Sequence, residues 1–338
     1  MVKKNINIKE LASALGLSTS TISRAFRDNS DINPDTKEMI LTKAKELGYQ
    51  PNIFASSLRD KAARTIAIVL PELANNFFSQ AVKGIEQITR EHNYHTLVYV
   101  TDSIYEKEVS ILTELQSGRV DGVIMSAAGE GKDSTHVRNL LNHSVPIVFF
   151  DRIYEDIAIP KVVTNDYESS YRATTDLIEK GCKKIAFLVI DADRSIGKIR
   201  TSGYKDAMKN AGFKKDEILI LECDNDREIS YEIIRNFILT QKPDAIVTAV
   251  ERLAIVTYRV CLNEKVRIPQ DLKVIGFSSL EIADLLNPSL STIIQPAFEM
   301  GKKVAQQLFV AVKSPNNNFS GMPIILDSNI IHRDSTKI

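Results

Sequence analysis

The chain has 338 residues, 43% of them hydrophobic, with 43 Lys and Arg balanced by 43 Asp and Glu. That length predicts two or three folding units, and the apolar content excludes an intrinsically disordered chain. The charge is uneven: residues 1–62 hold ten basic against seven acidic residues, a small basic head on a mildly acidic remainder, as expected of a nucleic-acid-binding module joined to something else.

The first residues, MVKKNINIKEL, have lysines but no apolar core after them, which does not read as a signal peptide. No apolar run approaches the roughly 20 residues of a membrane span. Cys182, Cys223 and Cys261 are scattered and odd in number. Together these features predict a reduced, cytoplasmic protein.

Residues 8–27 read IKELASALGLSTSTISRAFR. Ile8, Leu11, Ala12 and Leu15 share one face of a short helix, which Gly16 and Leu17 interrupt. Ser18 opens a second helix with an apolar face of Ile22, Ala25 and Phe26. Its outward face is Thr19, Ser20, Ser23, Arg24 and Arg27: hydroxyls and guanidinium groups without a carboxylate. That chemistry suits a helix laid in the DNA major groove. A solvated helix face with an N-cap serine is the plainer alternative. Asn33 and Pro34 then start a third helix, striped by Ile40, Ala44 and Leu47 and ended by Gly48. Residues 49–62, YQPNIFASSLRDKA, read as a linker containing a short helical pattern.

From residue 63 apolar runs alternate with amphipathic helices. TIAIVL, HTLVYV, DGVIMS, PIVFF, KIAFLV, ILILE, DAIVTA and KVIGF are eight strands, most separated by helical stretches. The fold class is therefore α/β: parallel sheets covered on both faces, in two doubly wound lobes behind a three-helix head.

These residues resemble the LacI/GalR family of bacterial transcription repressors, over essentially the whole chain and in the right order. LGLSTSTISRAF looks like the family's helix-turn-helix, and ELGYQPNIFASSLR like the end of its third helix and its hinge. TIAIVLPELANNFFSQAVKGIE looks like the first strand and helix of its effector domain. RVDGVIMS, RTSGYKDAM, VIGF and NPSLSTIIQP look like later landmarks. The resemblance implies a DNA-binding head (1–48), a hinge helix and linker (49–62), and a body (63–338) similar to periplasmic sugar-binding proteins. It places one lobe at about 63–163 and 294–326 and the other at about 164–293 and 327–338, with crossings near Thr164, Ile293 and Asp327.

The resemblance also distributes roles. Thr19, Ser20 and Arg24 fall where the family contacts bases, and Arg24 offers a bidentate pair of donors to guanine. Ser18, Thr21, Ser23, Asn33, Thr36 and Asn52 look like phosphate contacts that set register. Ala55 and Leu58 look like the hinge residues that enter the minor groove, with Leu58 as the wedge that kinks the DNA; packing of the linker against the body is the other reading of Leu58. Ser56 stands where the family often has Arg, so a phosphate contact is expected to be lost or supplied by Arg59. The implied effector-facing residues are Phe77, Phe78, Asp151, Arg194, Arg200, Asn225 and Ser278. Phe77 and Phe78 as plain core, and Asp151 with Arg152 as a surface ion pair, stay open. Val250-Glu251 replaces the family's usual Asn-Asp, and Ser278 its usual Asp. These losses predict a cleft rich in arginine and a ligand inclined to be a sugar acid, a sugar phosphate or an oligosaccharide.

The predicted partners are a near-palindromic DNA operator, a small carbohydrate-like effector and a second copy of the chain. The absence of a heptad tail predicts no tetramer. No cofactor or metal is expected: His92, His95, His136, His143 and His332 have no ligand spacing, and neither a phosphate loop nor a GxSxG elbow occurs. A repressor with no catalytic activity is the expectation. A transport or chemoreception protein sharing the body fold, and a hydrolase or kinase on a doubly wound sheet, are the alternatives.

Overall fold

A computed structural model describes residues 6–26, 32–49, 63–129, 131–192, 195–313 and 321–337. The chain forms two compact units, Met1–Ala63 and Arg64–Ile338.

The first unit contains three described helices. Helix α1 (Ile8–Leu15) starts at a capping box: the Asn7 side chain accepts from the Lys9 and Glu10 amides, and Glu10 accepts from the Asn7 amide. Gly16, at φ 61°, ends the helix in the left-handed conformation that favours glycine. Helix α2 (Thr19–Ala25) is capped by Ser18, whose Oγ accepts from the Thr21 amide at 3.1 Å. Helix α3 (Pro34–Leu47) has Asn33 as its cap and Pro34 in its first turn, and Gly48 ends it at φ 70°. Leu11, Ala12, Ile22, Ala25, Ile40 and Ala44 form the shared core. So small a core gives only marginal stability.

The second unit alternates strand and helix. In chain order these are β1 (Thr65–Leu70), α4 (Asn76–Glu91), β2 (His95–Val100), α5 (Tyr105–Leu115), β3 (Gly122–Met125), α6 (Thr135–Asn142), β4 (Ile147–Phe150), β5 (Lys161–Thr164), α7 (Asp166–Glu179), β6 (Ile185–Ile190), α8 (Ser195–Asn210), β7 (Leu219–Cys223), α9 (Arg227–Gln241), β8 (Ala245–Thr248), α10 (Glu251–Glu264), β9 (Lys273–Phe277), β10 (Ser291–Ile294), α11 (Ala297–Lys313), β11 (Pro323–Leu326) and β12 (Asn329–Ile331).

They make two six-stranded sheets, ordered β11-β5-β4-β3-β1-β2 and β12-β10-β9-β8-β6-β7. All pairs are parallel except β10 with β12. The inner strands are buried along nearly their whole length, so their sequences read as unbroken apolar runs. The edge strand β2 is half exposed and mixes residue types. Each sheet carries an apolar cluster on each face.

Glycines let the covering helices touch. A Cβ on Gly84 of α4 would fall on the Phe298 carbonyl oxygen of α11, and one on Gly301 on the Ala81 oxygen. Gly203 plays the same part between α8 and α7, against the Tyr167 oxygen.

The chain passes between the sheets three times: after β5, after β10, and between β11 and β12. These passages are tied together. Gln295 donates to Thr164 Oγ1 at 2.9 Å, Asn165 donates to Asp327 at 2.9 Å, and the Ser328 amide donates to Asn165 Oδ1 at 2.8 Å. Four strands, β5, β10, β11 and β12, add to the eight legible as apolar runs.

Candidate functional site

Two surfaces carry the candidate residues, one in each unit. On the head, Thr19, Ser20 and Arg24 are exposed, while Ile22 and Ala25 of the same helix are buried. The hydroxyls are not independent. Ser18 Oγ lies 2.7 Å from Ser20 Oγ and 2.9 Å from Thr21 Oγ1, a chain of hydrogen bonds across the first turn of α2. Ser18 and Asn33 are helix caps, Asn33 accepting from the Asp35 amide at 2.9 Å. Thr21, Ser23 and Thr36 are half-buried. Asn52, Ala55, Ser56, Leu58 and Arg59 lie outside the described residues, as does Arg194.

In the body, the carboxyl edges of both sheets face one cavity of about 120 Å³, the place where open α/β sheets bind ligands. Phe77 and Phe78 open α4 on one wall, with ring centroids 5.1 Å apart, and Phe78 also meets Phe150 edge-on. Both phenylalanines belong to the core and line the cavity, so the two sequence readings hold together. Asp151 and Arg152 follow β4 and Asp191 follows β6. Asp151, at φ 63°, and Asp191, at φ 53°, hold left-handed backbone conformations, a strain that concentrates at functional sites. Ser126 donates to Asp151 at 3.3 Å, and Arg152 donates to Ser103 at 3.1 Å. Asp102 pairs with Lys107 and does not line the cavity.

Arg200 of α8 is 3% exposed and fixed on three sides. Its Nη1 donates to the Ala249 carbonyl at 2.6 Å, its Nη2 to Asp166 at 2.9 Å, and its guanidinium lies 3.8 Å from the Phe277 ring centroid. Its Nε is buried without a partner among the described residues. Asp166 also accepts from Thr164, which accepts from Gln295. A continuous relay therefore runs from the inter-lobe passages to the cleft.

The far wall is polar. Glu251, the first residue of α10, accepts from Ser278 Oγ at 2.8 Å and from the Ser279 amide at 3.0 Å. Its other oxygen accepts from Asn76 on the opposite lobe, at 2.9 Å. Arg252 donates to Glu72 across the cleft at 2.7 Å and to both the carbonyl and the side-chain oxygen of Asn225.

One expectation needs correction. The arginine surplus is not found among the described lining residues: Glu72, Asp151, Asp191 and Glu251 stand against Arg152, Arg200 and Arg252, and the last two are neutralised by Asp166 and Glu72. Asn225 lines the cavity, with its side-chain oxygen accepting from Arg252. Sequence reading also missed Glu72, Arg152, Asp191, Glu251, Arg252 and Gln295 as cavity residues. Each except Glu251 and Arg252, which open a helix, sits one or two residues beyond an apolar strand, the one signal that points to them.

The remaining chemistry is quiet. Burial pushes the Cys223 and Cys261 thiols up to about 12 and raises Cys182 as well, the opposite of a nucleophile's environment. His92 stacks on Phe309 and bonds the Ile88 carbonyl. Among the described residues there is no group of side chains arranged to hold a metal, and no helix long and apolar enough to cross a membrane.

Residues 63–327 match the family model of periplasmic binding proteins and the sugar binding domain of the LacI family, and residues 7–52 that of bacterial regulatory proteins of the lacI family. The HTH-type transcriptional regulator RegA of Clostridium saccharobutylicum is 32% identical over 98% of this chain and 99% of its own. The lac repressor dimer bound to operator and the anti-inducer ONPF superimposes with a TM-score of 0.86, at 20% identity over 98% of this chain and 99% of that one. A LacI family regulator from Enterococcus faecium with bound ribose gives a TM-score of 0.72, at 24% identity over 80% of this chain and 98% of that one.

Proposed function

The chain belongs to the LacI family of bacterial regulatory proteins, and from that premise we propose how its two surfaces work as one repressor. The head binds a DNA operator and the body binds a small carbohydrate that controls it. The observation that carries the cleft's half of this reading is the cavity at the carboxyl edges of two sheets, aromatic on one wall and hydrogen-bonding on the other. A flat aromatic face suits the apolar side of a sugar ring, and fixed acceptors suit its hydroxyls. A cavity of about 120 Å³ suits a single sugar ring better than an oligosaccharide, and the balance of charge favours a neutral one. The ribose held by the Enterococcus faecium relative is of that size and charge.

We assign base contact to Thr19, Ser20 and Arg24, with Arg24 supplying most discrimination, and phosphate contact to Ser18, Thr21, Ser23, Asn33, Thr36 and Asn52. Ala55 and Leu58 are assigned to the minor groove, within a hinge at 49–62. Phe77, Phe78, Asp151, Arg200 and Ser278 face the effector, joined by Arg194, while Asn225 holds the rim through Arg252. Two copies of the chain bind a near-palindromic site, each supplying one head. Effector binding changes the angle between the lobes and with it the spacing of the paired heads, so effector and operator alter each other's affinity by the same factor. No step of this cycle requires catalysis, and it takes place in the cytoplasm.

Selection of bound sequences from a random double-stranded DNA library by the full chain tests the head's half of the reading. The expected product is one near-palindromic sequence, with a base position that loses its preference in Arg24→Ala. Enrichment of no sequence would overturn it.

A further inference from the structure

We propose that Glu251 is the specificity-determining acceptor of the cleft: a carboxylate held in place by Ser278 that takes a hydroxyl of a neutral sugar ring and disfavours an anionic one. The inference rests on the reading of the cleft as a carbohydrate site and adds the residue that sorts the ligands.

The geometry points to Glu251 through its own hydrogen bonds. The Leu280 amide donates to Ser278 Oγ at 3.1 Å. The Ser278 hydroxyl proton is thereby directed to Glu251 Oε2, 2.8 Å away, and the Ser279 amide donates to the same oxygen. Asn76 donates to Oε1 from the opposite lobe. A carboxylate has about four acceptor sites, so protein donors fill most of them and fix the group without saturating it. The open site lies on the oxygen shared with Asn76, where the two lobes meet over the cavity.

All the donors to Glu251 are neutral, and among the described residues no Lys or Arg pairs with it. Its charge is therefore stabilised by hydrogen bonds and left for the ligand to meet. A sugar hydroxyl gains a charge-assisted bond there. A carboxylate or phosphate on the ligand meets a like charge that no guanidinium offsets at that point. Ser278, which also lines the cavity, positions Glu251. The alternation of Val250, Glu251 and Ser278 thus keeps a carboxylate at this wall while taking it from the start of α10.

The test is calorimetry of the full chain with three matched pairs: D-glucose and D-glucuronate, D-galactose and D-galacturonate, and D-ribose and ribose 5-phosphate. The wild-type chain is expected to bind a neutral member at least about tenfold tighter than its anionic partner. Glu251→Gln keeps the shape and removes the charge, so affinity for the neutral member should fall by about tenfold or more and the neutral-to-anionic ratio should collapse. Ser278→Ala should lower that ratio in the same direction by a smaller factor, about threefold, a change that a merely structural hydroxyl would not produce. Thermal unfolding of each ligand-free variant reports on its folding. If Glu251→Gln does not fold, Glu251→Asp serves instead: it keeps the charge, withdraws the oxygens from Ser278 and Asn76, and should lose affinity with selectivity retained. A wild-type preference for the anionic member, or an unchanged ratio in Glu251→Gln, overturns the inference and leaves the carbohydrate reading standing. Failure of all six probes to bind the wild-type chain overturns the carbohydrate reading itself, and the inference with it.

Discussion

On helix α2 the side chains assigned to bases, Thr19, Ser20 and Arg24, stand exposed above a buried apolar strip, and only the Ser18 hydroxyl chain ties any of them together. In the cleft almost every polar group is already bonded: Arg200 to Asp166 and Ala249, Arg252 to Glu72 and Asn225, Glu251 to Ser278, Ser279 and Asn76. The difference separates two ways of recognising a partner. The head presents donors whose geometry the DNA completes, so changes there should affect binding and spare stability. The cleft is preorganised, so changes there should affect both.

The sharpest break of that contrast is Arg200→Ala. It strands Asp166, whose side chain is 8% exposed, and the Ala249 carbonyl. Removing one member of a buried ion pair costs about 3–5 kcal/mol, so denaturant unfolding should show a loss of that size in the body. A loss under about 1 kcal/mol would mean that the relay is not structural. Arg24→Ala should do the reverse. Operator affinity, read by fluorescence anisotropy on the selected sequence, should fall by about 1–3 kcal/mol, with the unfolding midpoint unmoved. Ser18→Ala lies between the two. Loss of a cap costs about 1 kcal/mol, visible as earlier melting of the head by circular dichroism and as weaker DNA binding.

The smallest effect calibrates the others. Hydrogen bonds from Arg267 lower the Asp271 carboxyl from 3.8 to about 2 on the open surface. A depressed carboxylate contributes stability that is complete above its unfolded pKa and is lost as pH falls through the folded one. Wild type and Asp271→Asn should therefore differ slightly above pH 4 and converge towards pH 2 in acid unfolding curves.

What the sequence showed and hid follows from distance along the chain. The head was legible because its caps, Gly16 and Gly48, and its apolar stripe all lie within a few residues of each other. Six inner strands were legible because burial on both faces makes them continuous apolar runs, and the edge strands β2 and β7 through runs of six and five residues. The four others, KVVT, STII, PIIL and NII, lie at the passages between sheets, and Lys, Ser, Thr, Pro and Asn interrupt their apolar runs. Phe77 and Phe78 stood out as a pair. The bonds from Asn76 to Glu251 and from Arg252 to Glu72 join residues 175 and 180 positions apart, and no local pattern carries them. Val250-Glu251 therefore read as the loss of a ligand group, where the fold restores a carboxylate through Ser278.

The central claim is that the cleft and the head are thermodynamically linked. The most direct test measures operator affinity with and without a saturating sugar from the matched pairs, and sugar affinity with and without saturating operator, at fixed salt. Both ratios should depart from one by the same factor, about 5- to 150-fold. Operator affinity that stays the same when the cleft is saturated would contradict it.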